Sequence, residues 1–337
     1  MVTATVLAVD IGGTKVATAV ISSDGEILRT STAPTILGDP AKLVDQIVSM
    51  LGANLAIIGR RTSGVLGLGV GVPAVIDAEH KIILWAPNLP GCENFSLHDA
   101  LAQRLDLPVR IEYDGHTAVL GEWWSGAGRG YQNVVSVVIG TGIGGGIVMD
   151  GRLCRGASSL AGAVGWFVLG TEPPPEEHAL RLGHWESLAA GPGIARLAHE
   201  MLCRDDRPSL LRGTLSSPAG LTAQAIFDAA RQGDPLAREI TDRIGQLLGV
   251  GIANIVSLLN PDVVVLGGGV GAQAALIIEQ IRAIVDATAQ PVSARAVRIV
   301  PSLLGARAGL LGAAKALLLS CGYGSRPGDK EVRSKEE

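Results

Sequence analysis

Two stretches of the chain share one alternation of apolar and polar positions. VLAVDIGGTKVATAVISSDGEILRT, starting at Val6, runs apolar to Asp10, turns through Gly12 and Gly13, runs apolar again, and breaks at SSDG before a third run. VVSVVIGTGIGGGIVMDGRLCRG, starting at Val134, repeats the plan with a glycine corner over Gly140–Gly146 and MDG ahead of its third run. Apolar runs joined through Asp-Gly are a strong local hairpin signal. Each stretch therefore predicts strand, loop, strand, turn, strand, and the chain reads as internally duplicated.

Between and after these stretches the period changes. AKLVDQIVSMLGANLAIIGR (41–60) has helical spacing, VLGLGVGVPAVID is a strand entering a loop, and SLHDALAQRL is a helix with Ser96 as its N-cap. VRIEYD predicts a strand ending at Asp114, HTAVLGEWWSG a helix closed by Gly126, and residues 234–260 a long buried helix. VVVLGGGVGAQAALIIEQIRAIV (263–285) predicts strand, glycine corner and helix, and ARAGLLGAAKALLLS a last helix. The charged stretch GSRPGDKEVRSKEE lacks apolar anchors and is expected to be disordered.

Composition narrows the class. A chain of 337 residues exceeds one small core, and two lobes can enclose a cleft. Hydrophobic residues make up 47% and aromatics only 3%, so the cores should be aliphatic. The 45 glycines fall in blocks after apolar runs, which points to ligand loops and not to a fibre. A net charge of −4 with no basic stripe argues against nucleic acid as the main partner. The four cysteines, Cys92, Cys154, Cys203 and Cys321, form no CxxC pair and fit reduced cytosolic thiols. No signal peptide is visible at the start, and the apolar runs are broken before a membrane-spanning length, so a soluble cytoplasmic protein is expected.

Glycine corners let amide N–H groups approach phosphate oxygens without a Cβ in the way. GTGIGG matches a dinucleotide pattern, but GIVMDGRL continues as strand where a helix must open. Gly267–Ala272 fits that pattern better and leaves dinucleotide binding open; no GxxxxGK[ST] occurs, so a P-loop is excluded. One such loop alone is equally a tight turn.

Several motifs in order then resemble the ROK family of sugar kinases and sugar-responsive repressors: DIGGTK (10–15), GVPAVID (71–77), APNLPG (86–91), YDGHTAVLGE (113–122), GTGIGGGI (140–147), PDVVVLGGGV (261–270) and AGLLGAA (308–314). The resemblance implies an α/β, actin-like (hexokinase/ribonuclease H-like) duplicated two-lobe fold with an ATP/sugar cleft. Its lobes would be 1–112 plus about 303–322, and 113–302, with 323–337 as a disordered tail. It implies ATP and Mg²⁺ as cofactors, a small sugar or cyclitol as substrate, no nucleic acid or membrane partner, and a homodimer. Asp10, Gly12, Gly13, Thr14 and Lys15 would form the first phosphate loop, with Asp10 near the metal-bound phosphates. Gly140, Thr141, Gly142 and Gly144 would form the second, and Gly267, Gly268, Gly269 and Val270 would lie under the adenosine. Asp114 falls at the catalytic base; read without the resemblance it is equally a helix N-cap. Asn88, Tyr113, Asp114, Trp166 and Glu186 would contact the acceptor.

The acceptor side departs from the pattern. SSLAGAVGWFVLG (158–170) carries Ala163 and Trp166 where the family has a sugar-binding glutamate and a histidine shared between sugar and zinc. Tyr113 replaces an asparagine and Ala74 a glycine. Glu177, Ala179 and His184 stand at three zinc-cysteine positions; Glu177, His178 and His184 are the donors left, and no structural zinc is expected. Trp166 either stacks on the C–H face of a ring or fills the volume of the missing zinc subsite. The expected activity is ATP-dependent phosphorylation of a primary hydroxyl on an amino sugar, cyclitol or other non-glucose ring. The alternatives are an ordinary glucokinase and a catalytically silent sugar-sensing protein. With nine residues before Asp10, no DNA-binding segment is expected ahead of the first loop.

Overall fold

The computed structural model describes residues 4–59, 64–77, 79, 81–170, 182–214 and 220–323. The first unit takes in the chain up to Ser125, the segment Arg155–Ala161 and the chain from Ala306 onward. Its sheet begins with the predicted hairpins β1 (Thr5–Ile11), β2 (Lys15–Ser22) and β3 (Ile27–Pro34), all antiparallel. α1 (Pro40–Ile58) follows, capped by Asp39, whose Oδ1 accepts the Lys42 N–H at 3.1 Å. β4 (Val65–Val72) then pairs parallel to β1; β5 (Val75–Ile76) and β6 (Ile83–Trp85) form a small side hairpin. α2 (Leu97–Leu105) starts at the predicted cap, Ser96 Oγ accepting the Asp99 N–H, and β7 (Val109–Tyr113) joins parallel to β4. α3 (Asp114–Ser125) runs directly out of β7.

The second unit holds Gly126–Cys154 and Gly162–Gly305. β8 (Val134–Ile139), β9 (Ile143–Met149) and β10 (Arg152–Cys154) are again antiparallel. Asp150 and Gly151 turn β9 into β10 with φ of 51° and 73°, the two-residue turn that Asp-Gly favours. The helices are α4 (His184–Ala189), α5 (Gly191–Arg204), α6 (Ala223–Arg231) and α7 (Pro235–Leu259). β11 (Val263–Gly267) lies parallel to β8 and carries the one-turn α8 (Gly268–Gly271); α9 (Ile278–Thr288), α10 (Pro291–Ala296) and β12 (Arg298–Pro301) complete the unit. The chain returns to the first unit as α11 (Ala308–Ser320).

The strand orders are β3-β2-β1-β4-β7 and β10-β9-β8-β11-β12. These are one topology used twice, so the duplication read from the glycine corners extends through whole sheets. Each sheet is aliphatic on its packed side, with cores built on residues such as Leu7, Val9, Leu68 and Val70 in one unit and Val135, Val137, Ile244 and Leu266 in the other.

Three expectations change. The first crossing between units falls after Ser125 and not at residue 112, because α3 packs along α11: a Cβ on Gly312 would overlap the Thr117 carbonyl, and one on Gly121 the Ala308 carbonyl. The second falls after Gly305, and Arg155–Ala161 joins the first unit. Second, α1 and α7 are long and apolar enough to cross a membrane. Both are amphipathic core helices, α1 burying Leu43, Ile47, Leu51 and Ile58 while Lys42 and Asp45 stay exposed. Third, the long helix after β11 opens only at Ile278, beyond a broken turn at Ala274–Leu276. Of the predicted tail, residues 324–337 lie outside the described residues.

Candidate functional site

In the first unit, the expected residues gather at one end of the parallel strands. Asp10, Gly71 and Glu112 sit in register across β1, β4 and β7, and Asp114 follows two residues beyond, as the first residue of α3. This is the carboxyl end of a parallel set, where α/β sheets present ligand-binding groups. Asp10 is wedged there: a Cβ on Gly309, in the first turn of α11, would come within 2.5 Å of its Oδ2, and one on Gly71 within 3.4 Å of Oδ1. Burial pushes Asp10 up to about 6, against the pull of Lys15. Gly12 donates to the Lys15 carbonyl at 2.9 Å and Thr35 Oγ1 to the Gly12 carbonyl at 2.6 Å, which fixes the β1–β2 corner. Thr14 and Lys15 are exposed at its tip. Asn88 is exposed as well and lies against this corner, since a Cβ on Gly13 would stand 3.1 Å from the Asn88 Cβ.

Asp114 is half-buried at the start of α3, where a carboxylate suits the helix dipole. Its Oδ1 accepts the Gly115 N–H at 2.8 Å, and its carbonyl accepts the Thr117 hydroxyl at 2.9 Å. Tyr113 is half-buried and meets the His116 ring edge-on at 5.4 Å. Glu112 and His116, which sequence reasoning passed over, are both buried here. Their spacing of four along the chain was a legible signal; their third partner, Arg155, was not.

The second unit carries its own set. Gly140, Thr141 and Gly142 form the corner between β8 and β9, with Gly144 in β9 opposite Val138. Gly140 donates to the Gly142 carbonyl and accepts from the Gly191 N–H, both at 2.8 Å. Gly267 ends β11 opposite Val138, so the third corner stands beside the second. Gly268, at φ 78°, is pressed on the Ile139 carbonyl, which no residue with a Cβ could approach so closely. Gly140 and Gly269 are different: a Cβ on either would meet no heavy atom within 4 Å. Among the described residues nothing requires glycine at those two positions. After Gly268 only one helical turn forms, not the long helix that a dinucleotide fingerprint opens.

Glu186 lies in α4, half-buried, with its Oε2 accepting the Ile143 N–H at 2.7 Å and standing 2.5 Å from where a Gly142 Cβ would be. The expected acceptor contact therefore also buttresses the glycine corner. Burial raises its pKa, partly offset by the Ile143 N–H. Ala163 precedes the turn Val164–Trp166, and a Cβ on Gly165 of that turn would stand 3.3 Å from the Glu186 Cβ. Trp166 is 48% exposed. Trp185 is fully buried, stacked on Phe167 at 6.0 Å, donating from Nε1 to the Leu247 carbonyl and pressed on Gly251 of α7. His184 Nδ1 accepts the Leu169 N–H at 3.1 Å, so this nitrogen serves the backbone. Glu177, His178 and Ala179 lie outside the described residues.

Residues 6–319 match the ROK family. The glucokinase of Halalkalibacterium halodurans is 33% identical over 305 residues, covering 90% of this chain and 92% of the relative. The N-acetylmannosamine kinase of Escherichia coli is 32% identical over 311 residues, covering 92% and 97%. Among solved structures, the ROK family glucokinase from Streptomyces griseus in complex with glucose and AMPPNP is similar with a TM-score of 0.76 and 31% identity, covering 92% of this chain and 98% of that one.

Proposed function

The chain belongs to the ROK family as a sugar kinase, and from that premise we propose that it transfers the γ-phosphoryl group of ATP to a primary hydroxyl of a non-glucose ring. An amino sugar or a cyclitol is the acceptor class we favour. The observation that carries the reading is Asp114, half-buried at the carboxyl rim of the parallel strands that also presents Asp10. Asp114 takes the proton of the acceptor hydroxyl while that oxygen attacks the γ-phosphorus, and the bridging oxygen leaves with ADP. A positioned base contributes about 10²- to 10⁴-fold. The rest is alignment and charge neutralisation, supplied by the amide groups of the corners at Gly12–Lys15 and Gly140–Gly144. Mg²⁺ bound with the nucleotide would supply further neutralisation, and Asp10 is the carboxylate that would face it.

The acceptor class follows from the residues that stand at the acceptor positions, Asn88, Tyr113 and Asp114 in the first unit and Ala163, Trp166 and Glu186 in the second. Asn88, Asp114 and Glu186 remain as polar contacts, while Ala163, Tyr113 and an exposed Trp166 stand where three polar groups would bind glucose hydroxyls. A glucose hydroxyl left unpaired in a closed site costs about 1–3 kcal/mol. An exposed indole instead favours the C–H face of a ring. All four thiols are unpaired, in keeping with a reducing cytoplasm. A second reading, an ordinary glucokinase, is favoured by the glucokinase relatives. A coupled ADP-release assay with Mg·ATP against hexoses, amino sugars, N-acetyl sugars and cyclitols separates the two. We expect one non-glucose acceptor to exceed glucose in kcat/KM by about tenfold or more, as even one unpaired hydroxyl implies. Glucose as the best acceptor would establish the second reading, and silence across the panel would overturn both.

A further inference from the structure

Glu112 is 3% exposed, yet its carboxylate is met by two arginines and a histidine. Its Oε1 accepts Arg110 Nε at 2.9 Å and Nη2 at 2.6 Å, and Arg155 Nε at 3.0 Å and Nη2 at 2.7 Å. Its Oε2 accepts Arg155 Nε at 3.2 Å and faces His116 Nδ1 at 3.4 Å. Burial acts to raise its pKa, but His116 and the two guanidinium groups outweigh burial and hold it down at about 2. The group stays ionised at any working pH. His116 is fully buried and reaches the Ala161 carbonyl from Nε2 at 3.1 Å; a carbonyl only accepts, so Nε2 carries a proton.

A cluster this costly to desolvate does not arise from packing alone, since an apolar residue would fill the same volume more cheaply. Its place in the chain gives it a use. Glu112 precedes Asp114 by two residues at the end of β7, and His116 follows it by two in the first turn of α3. Both neighbours of the proposed base are thereby locked, one to Arg110 and Arg155, the other to Glu112 and Ala161. Thr117 closes the arrangement by holding the Asp114 carbonyl, and is itself seated against Gly71.

We propose that Arg155 and His116, joined through Glu112, are positioning residues for Asp114: they fix the strand-to-helix junction from which its carboxylate reaches the acceptor hydroxyl. The proposal rests on the assignment of Asp114 as the base. Misplacing a reacting group by about 1 Å costs on the order of 10²-fold in rate.

The test uses the whole chain with the best acceptor of the panel. Arg155 is the first target because its side chain is 37% exposed, so Arg155→Gln leaves the core intact; His116→Gln keeps an amide donor for Ala161. We expect Arg155→Gln to lower kcat about 10- to 100-fold with the KM for ATP unchanged, and Arg155→Lys to recover part of the loss. In the Asp114→Asn background, single-turnover transfer should fall less than about twofold on adding Arg155→Gln, because a group acting through Asp114 has nothing left to position. A wild-type kcat in both Arg155→Gln and His116→Gln, or a full additive loss in the double variant, overturns the proposal. Asp114→Asn turning over like the wild type overturns instead the assignment of the base, so the two failures are distinct.

Discussion

Asp10 shows how much one residue's setting can say. Its carboxylate is held at about 6, above its ordinary 3.8, because it is wedged among Gly71, Gly309 and the end of β1. A folded value above the unfolded one means that the folded protein holds the proton more tightly. Stability is then fully present below about 3.8 and falls as pH rises through about 6. Asp10→Asn should therefore melt higher than the wild type at pH 8, by on the order of a few degrees, and show no difference at pH 4. An equal difference at both pH values would mean that the charge is not what strains the site. Asp10 and Asp114 were legible in the sequence because each ends a strand pattern beside a glycine or a helix start. Trp185 was not legible: its burial depends on Gly251, far along the chain, and no local pattern announces a cavity filled from another helix.

At the scale of elements, the glycines divide by what surrounds them. Gly312 lets α11 lie on α3, and a methyl group there would overlap the Thr117 carbonyl. Gly269 sits in the α8 corner with no atom near enough to exclude a methyl group. Gly312→Ala should cost at least about 2–4 kcal/mol of stability in a denaturant melt. Gly269→Ala should change stability by no more than about 0.5 kcal/mol. If nucleotide lies under Gly269, the same variant should raise the KM for ATP about tenfold, since a methyl group then meets the ligand instead of open space. An unchanged KM would remove that corner from the nucleotide site. Glycine-rich sequence alone could not separate these cases, because both kinds follow a strand or start a helix. The hairpins, by contrast, were readable to within a residue or two, since Asp-Gly turns and alternating apolar runs are local signals.

The whole molecule is one sheet topology built twice, and the two hairpin motifs were enough to expect that. Where the units divide was harder to read. Strand β7 and helix α3 look like a boundary in the sequence, but α11 returns from the far end of the chain to hold α3 in the first unit. Such a pairing is visible only once non-local packing is known. The same limit applies to Arg155, which leaves β10 and rejoins the first unit beside Glu112. Family membership then gives the class of reaction, and the departures at Ala163, Trp166 and Tyr113 bear on which ring is phosphorylated. The most direct test is phosphoryl transfer from γ-labelled ATP, with the product identified by phosphorus NMR and Asp114→Asn run beside the wild type. We expect a phosphomonoester on a primary hydroxyl of a non-glucose ring, formed by the wild type and reduced at least about 10²-fold in a variant that still binds ATP. Labelled inorganic phosphate as the sole product, or equal phosphomonoester from both proteins, would contradict a sugar kinase that works through Asp114.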